Sequence, residues 1–221
     1  MSHSRFLRWL CLMGLVMQLA ACGAQPSENV VLGDVLKHEE FNSDFAWMRY
    51  ANASQNVDFR VENGVYRAQA ANGGFMWTID TDVHTNVSIQ VDTQQLSSYR
   101  DNAYGLMCRA STSDNGDGYY FLISGDGYYT LRVGSTDRIR ALIPWTQTSA
   151  IQQNQSINRI RIICVEDYLA LYINGQFVAE ARDTRFQRGY AGLVAGVPGS
   201  GEVDVTFDDL IIRSASLADA R

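Results

Sequence analysis

Proline, lysine, histidine and cysteine are all scarce in this chain. Its 221 residues hold 3 prolines, 3 histidines and 4 cysteines, and Lys37 is its single lysine. With 46% hydrophobic and 19% charged residues beside so little proline, disorder and low-complexity sequence are excluded. Four cysteines are too few for a disulfide-knit miniprotein. A chain of this length needs no staple, because a single β domain of this size buries roughly 70% of its unfolded surface. A basic stripe is missing too. The 18 bases stand against 24 acids, a net charge of -6, which disfavours a nucleic-acid partner because nothing would displace phosphate counterions. The sequence has no His-Glu-x-x-His pair, no Cys-x-x-Cys and no Gly-x-Ser-x-Gly, so no zinc site and no nucleophile elbow is expected. Two Gly-Asp-Gly segments, at Gly116 and Gly125, lead into strand-like runs where a phosphate-binding loop needs a helix. Neither a nucleotide nor any other cofactor is expected.

The first 22 residues differ from the rest. Arg5 and Arg8 precede an apolar run from Trp9 to Leu19, and then comes Leu19-Ala20-Ala21-Cys22. Such a run spans about 16 Å as a helix, too short for a ~30 Å hydrocarbon core, so an export signal fits better than a membrane span. The segment resembles a bacterial lipoprotein signal, whose small-residue box directs lipid attachment to its Cys. The resemblance implies cleavage before Cys22, lipidation of Cys22, and a mature protein anchored in the cell envelope on the extracytoplasmic side. Removing Arg5 and Arg8 would leave 16 bases against 24 acids over residues 22–221, a charge of -8. Only Cys108 and Cys164 would then remain in the folded body. An oxidising compartment favours a bond between them, the alternative being two separate buried thiols.

Beyond residue 40 no apolar run has helical spacing, whereas β-type alternation recurs about every ten residues. Asn63-Gly64 and Asn174-Gly175 each separate two β-rich runs, Val57 to Glu62 from Val65 to Ala70 and Tyr168 to Ile173 from Gln176 to Arg182. Both are strong hairpin signals. Further strands are expected at Phe75 to Asp80, Val87 to Leu96, Ala103 to Ala110, Tyr119 to Ser124, Tyr128 to Val133, Arg138 to Ile143, Asn158 to Val165, Tyr190 to Gly196 and Val203 to Arg213. About thirteen strands favour two packed antiparallel sheets over a small barrel.

Faces follow from alternation. A two-residue loop between the Tyr119 and Tyr128 strands would place Tyr119, Phe121 and Ile123 beside Tyr128, Thr130 and Arg132, with Tyr120, Leu122, Tyr129, Leu131 and Val133 in the core. A three-residue loop would swap the assignment. If Cys108 and Cys164 point inward, the outward set gathers Arg109, Tyr119, Phe121, Tyr128, Arg132, Arg161, Tyr168 and Tyr172. That set reads either as the wet side of a sheet or as a ligand platform, since flat rings stack on sugar faces and guanidinium forks bind hydroxyls or carboxylates. Trp145, after Pro144 and ahead of a polar stretch, is either a plug under its loop or a displayed stacking ring. Trp47 and Trp77, among apolar neighbours, are expected in the core. The candidate ligand residues are therefore Arg109, Tyr119, Tyr128, Arg132, Trp145 and Tyr172.

Several stretches resemble the closing half of concanavalin A-like jelly-roll domains: Asn158 to Val165, Tyr168 to Gly175, Gly189 to Leu193 and Val203 to Leu210. Laminin-G-like modules and the 3-keto-disaccharide hydrolase (DUF1080) group look nearest. The resemblance implies an all-β fold, a two-sheet antiparallel jelly-roll sandwich over residues 40–213. Residues 1–21 would then be signal, 22–39 a tether and 214–221 a tail. It also implies a face that binds carbohydrate, with an envelope protein as the other partner to weigh. The run from Glu202 to Asp208 superficially resembles the catalytic strand of laminarinase-type enzymes, but Thr206 and Phe207 stand where the third carboxylate should be. Alternation accounts for it more simply, with Glu202, Asp204, Thr206 and Asp208 facing water. Asp114, Asn115 and Asp117 could offer oxygens to Ca²⁺, yet an Asx-rich turn explains them equally well. The expectation is thus a non-catalytic, membrane-anchored binding module without metal, with a glycoside hydrolase of the keto-disaccharide type or a structural, protein-interacting envelope lipoprotein as the alternatives.

Overall fold

The computed structural model describes residues 24–43, 47, 49–112, 115–136 and 138–218. Every regular element among them is a strand: β1 (Val30–Glu39), β2 (Tyr50–Asn52), β3 (Val57–Glu62), β4 (Val65–Ala71), β5 (Phe75–His84), β6 (Val87–Gln95), β7 (Ala103–Ala110), β8 (Gly118–Ile123), β9 (Tyr128–Ser135), β10 (Arg138–Gln147), β11 (Ile157–Val165), β12 (Tyr168–Ile173), β13 (Gln176–Arg182), β14 (Gly189–Gly196) and β15 (Glu202–Leu217). They form two antiparallel sheets. The nine-stranded sheet runs β13-β12-β11-β6-β15-β4-β3-β2, with β1 also paired to β15, and the six-stranded sheet runs β10-β9-β8-β7-β14-β5. This is the jelly-roll sandwich expected from the sequence.

Local chemistry explains the turns. Asn63 and Gly64 take φ of 52° and 77°, and Asn174 and Gly175 take 51° and 79°, the left-handed pair that a two-residue hairpin requires. Asn174 also works through its amide, which donates to Ala150 O at 2.8 Å and accepts from Arg159 N at 2.9 Å. The turn between β8 and β9 takes the three-residue form. Ser124 N donates to Tyr128 O at 2.9 Å across Gly125-Asp126-Gly127, and Tyr119 faces Val133 while Tyr120 faces Arg132.

That one extra residue sets the core. Tyr119, Phe121, Ile123, Tyr129, Leu131 and Val133 point inward and pack with Tyr104, Leu106, Ile160, Ile162, Leu169, Leu171, Val203, Val205 and Phe207 of the other strands. Trp47 joins them, fully buried against Phe41 and Tyr66. Trp77 does not: it lies half-buried on the outer face of the six-stranded sheet with Met107, Tyr120 and Val194. Cys108 of β7 and Cys164 of β11 form a disulfide across the two sheets, with Cα atoms 6.7 Å apart.

The ends of the domain lie elsewhere than expected. Residues 30–39 are a paired strand and not a tether, and β15 runs on to Leu217 through residues placed in the tail. Val30 faces Leu217 and Glu39 faces Leu210, so the last eight residues of β15 supply a backbone edge that β1 can satisfy. Lys37 ties the other side of β1 to the six-stranded sheet, with Nζ 3.3 Å from Asp80 and 3.0 Å from Asp82 of β5. Opposite charge holds the Lys37 ammonium pKa above its ordinary value, although desolvation, the largest single influence on it, acts the other way.

Candidate functional site

The outer face of the six-stranded sheet carries a groove of about 390 Å³, lined among others by Phe75, Asp101, Tyr120, Arg132, Ile139 and Trp145. This falls within the ~300–1,000 Å³ range of ligand sites. Its floor is built by alternation. Tyr120 and Leu122 of β8 point outward once the three-residue turn has sent Tyr119 and Phe121 inward, and Arg132 of β9 stands directly across from Tyr120. The Tyr120 hydroxyl donates to Gly116 O at 2.6 Å, so this residue offers its ring.

One wall comes from β10, an edge strand with two irregularities. The register against β9 shifts between Ala141 and Ile143 and again between Ile143 and Thr146. Pro144 sits in the second shift, where a residue without an N–H is tolerated because no ladder bond is lost. The strand therefore continues to Gln147, past the expected end at Ile143, and turns Trp145 out over the sheet. Trp145 is displayed, 38% exposed, with the Arg132 guanidinium 5.7 Å from its ring centroid. The opposite wall holds Phe75, whose ring lies 6.2 Å from that of Tyr120 and 6.1 Å from that of Trp77. Gly196 of β14 faces Phe75 in register, and a Cβ there would run into the Phe75 ring, so a glycine lets that ring lie flat on the strand.

Few polar groups in the groove are free to act. The Asn102 amide donates to Tyr99 O at 2.7 Å and accepts from Gly125 N at 3.1 Å, which commits it to holding the loops. Asp101 is exposed at the rim. Arg132 is half-buried, its Nε has no hydrogen-bond partner, and burial lowers its pKa.

The six residues singled out from the sequence part company. Arg132 and Trp145 meet in the groove. Tyr128 shares the outward parity of Thr130 and Arg132 but lies near the end of β9, outside the groove lining. Tyr172 is on the outer face of the other sheet, with Arg161 stacked 4.3 Å from its ring centroid and Phe177 packed edge-on at 5.5 Å.

Arg109 and Tyr119 are interior and do not belong to a ligand face. A bulge in β7 sets Arg109 at φ 55° and shifts the register against β14 between Tyr190 and Gly192. The side chain turns in and is 3% exposed, donating to Glu166 O and Phe186 O at 2.7 Å each and to Thr85 O at 3.3 Å. It thereby ties three loops together. The Tyr119 hydroxyl donates to Asp183 Oδ1 at 2.7 Å and accepts from Phe186 N at 3.1 Å. Burial pushes its pKa up to about 12.

The carboxylates weighed for catalysis are also placed. Asp204 takes a two-pronged ion pair from Arg67, at 2.8 and 2.6 Å, and a bond from Gln69 Nε2 at 2.9 Å. Asp117 N donates to Asn115 Oδ1 at 3.2 Å, an Asx turn, while the Asp117 carboxylate accepts from Asn115 Nδ2 at 3.0 Å and from Thr136 N at 2.9 Å. Asp114 lies outside the described residues, as does Cys22. Sequence reasoning missed Phe75, Tyr120, Ile139 and Asp101. Tyr120 belongs to an apolar run that looks like core until the loop length assigns its face, and Phe75 and Ile139 stand at the first and second positions of their strands, where alternation gives little sign of face.

No family model matches the chain, and no curated protein matches it. Solved structures do resemble its fold. The carbohydrate binding module CBM66 from Bacillus subtilis is 15% identical, with a TM-score of 0.63 over 76% of this chain and 96% of that one. A protein of unknown function with a galectin-like fold from Bacillus subtilis gives a TM-score of 0.64 at 12% identity, over 85% and 99% of the two chains. LamA from Z. galactanivorans, in complex with laminaritriose and laminaritetraose, gives 0.57 at 12% identity, over 83% and 100%. At these identities the likeness establishes the jelly-roll sandwich, the architecture to which this chain conforms.

Proposed function

We propose that this protein is an exported, membrane-anchored, non-catalytic binding module for extracellular or envelope carbohydrate, and that the groove around Trp145 is its glycan site. The observation that carries the reading is Trp145 itself. A bulged edge strand turns an indole out of the sheet into a groove whose floor is the Tyr120 ring, with Phe75 and Arg132 beside it. Sugar rings have one apolar face that stacks on such surfaces and a rim of hydroxyls that binds guanidinium and carboxylate groups. The fold supports it as well, since one similar structure is a carbohydrate binding module and another is in complex with laminaritriose and laminaritetraose.

The anchor reading rests on the Leu19 to Cys22 box. Val30, the first residue of β1, follows Cys22 by eight positions, and β1 exposes Val31, Leu32, Val35 and Leu36. Eight extended residues span at most about 28 Å, so an acylated Cys22 would hold this apolar strand close to the bilayer.

Titration of residues 24–221 against immobilised glycans tests the site. Trp145→Ala is expected to weaken binding at least tenfold while leaving the unfolding midpoint within a few degrees. Wild-type affinity in that variant sinks the assignment of the groove. For the anchor, Cys22→Ser is expected to release the protein from the membrane fraction, and retention there refutes lipidation.

A further inference from the structure

The groove contains a cation without a counterion. Most arginines with any burial are answered: Arg60, Arg67, Arg159, Arg182 and Arg185 each pair with a carboxylate, Arg109 and Arg213 bind backbone carbonyls, and Arg100 binds two side-chain amides. Arg161 lies on the Tyr172 ring on the other sheet. Arg132 and Arg161 are both half-buried with an unpartnered Nε, no ion pair and no side-chain hydrogen bond among the described residues, and of the two only Arg132 lines a groove, with the Trp145 ring 5.7 Å away. Tyr120, Leu122, Ile139 and Trp145 of the same lining cannot neutralise it, and Asp101, the one carboxylate there, lies at the rim and forms no ion pair with it.

Partly removing a guanidinium from water costs free energy, and a chain with 24 acids has carboxylates to spare for pairing. In this groove none has been placed against it. From that we infer that the glycan recognised here carries an oxyanion, a uronate carboxylate or a sulfate ester, seated on Arg132 while the sugar ring lies on Trp145. The inference rests on the carbohydrate reading of the same groove and names the class of sugar.

The chemistry fits at three points. The planar fork of Arg132 matches two oxygens of a carboxylate or sulfate, and the low-dielectric floor strengthens that pair relative to one in water. Trp145 is already within reach of the guanidinium, so a ring stacked on the indole brings its exocyclic acid toward Arg132. Asp101 at the rim would repel an acid bound the wrong way round and can accept from hydroxyls, which fixes the direction of the sugar.

Matched pairs of probes isolate the charge. Residues 24–221 are titrated with oligogalacturonate and its methyl ester, and with a monosulfated galactan oligosaccharide and its desulfated form. The charged member of at least one pair is expected to bind ten times or more tightly than its neutral partner, with the preference shrinking as salt rises. Which pair shows it tells carboxylate from sulfate. Arg132→Met is expected to abolish the preference, and Arg132→Lys to keep part of it. Asp101→Asn, a rim substitution, is expected to strengthen binding of the charged member alone, which keeps the test open if Arg132→Met misfolds. Equal affinity for charged and neutral members, or a preference untouched by Arg132→Met in a folded variant, overturns the inference and leaves the carbohydrate reading standing. Binding of no glycan overturns both.

Discussion

Opening the bridge between Cys108 and Cys164 perturbs the unfolded chain more than the folded one. The bond closes a loop over a sequence separation of 56. In the chain-entropy description such a loop withholds about 14 cal/mol/K from the denatured ensemble, which is about 4 kcal/mol at 25 °C. At 2–4 °C per kcal/mol for a domain of this size, reduction should lower Tm by roughly 8–16 °C. Both cysteines are essentially fully buried between the sheets, so the reduced thiols stay packed and little folded-state energy is lost. The Cys108→Ala/Cys164→Ala variant should lose about 1–2 kcal/mol more, because each truncation leaves a small void. Urea unfolding of the oxidised, reduced and double-alanine forms separates these contributions. The m-value provides an independent check, since an uncrosslinked chain expands further and m should rise on reduction. A reduced protein within about 1 kcal/mol of the oxidised one, with m unchanged, would refute the loop argument.

Alkali should unfold the protein through its tyrosines. Burial pushes Tyr66 and Tyr119 up to about 12, and Tyr104, Tyr120 and Tyr168 are raised as well. The unfolded chain ionises near pH 10 while these stay neutral in the fold, so their contribution is complete below pH 10 and falls by about 1.4 kcal/mol per tyrosine per pH unit above it. Tyrosinate absorbance at 295 nm should rise together with loss of the β-sheet signal, and smooth ionisation of a still-folded protein would contradict this. At the acid end, Arg67 and Arg60 hold Glu62 below its ordinary range, so its stabilisation is present above pH 4.5 and is lost as pH falls through the lower folded value. Arg109→Met, which strips the buried guanidinium donor from three backbone carbonyls, should cost about 2–4 kcal/mol in urea unfolding without changing glycan affinity. A weaker ligand with normal stability would return Arg109 to the site. Asn174→Ala should cost about 2–3 kcal/mol, combining a left-handed turn position with lost amide bonds, and a loss under 0.5 kcal/mol would show that the turn alone suffices.

The legible parts of the fold were those written in short stretches. Asn63-Gly64 and Asn174-Gly175 specify their hairpins because two residues at positive φ close antiparallel strands wherever they occur. Val203, Val205 and Phe207 announce an inward face by alternation alone. Trp145 and Arg132 were singled out for what they are chemically, and they meet. Arg109 and Tyr119 were misplaced for a physical reason: parity holds only while the register is unbroken, and a bulge before Ala110 and a third residue in the Gly125–Gly127 turn each reverse it. The pairing of β1 with β15 joins residues some 180 positions apart, and no local pattern encodes it.

Sequence alone determined a β protein with two tight hairpins, one pair of cysteines available to bond in the folded body and nearly all its positive charge as arginine, because turn preference, alternation and composition act over a few residues. Tertiary structure decided which face is wet. It brought Phe75, Tyr120, Arg132 and Trp145 from four strands into one groove and left Arg132 there without a counterion. Those outcomes depend on loop lengths, bulges and sheet neighbours taken together, and a single-residue change in any of them turns a strand over.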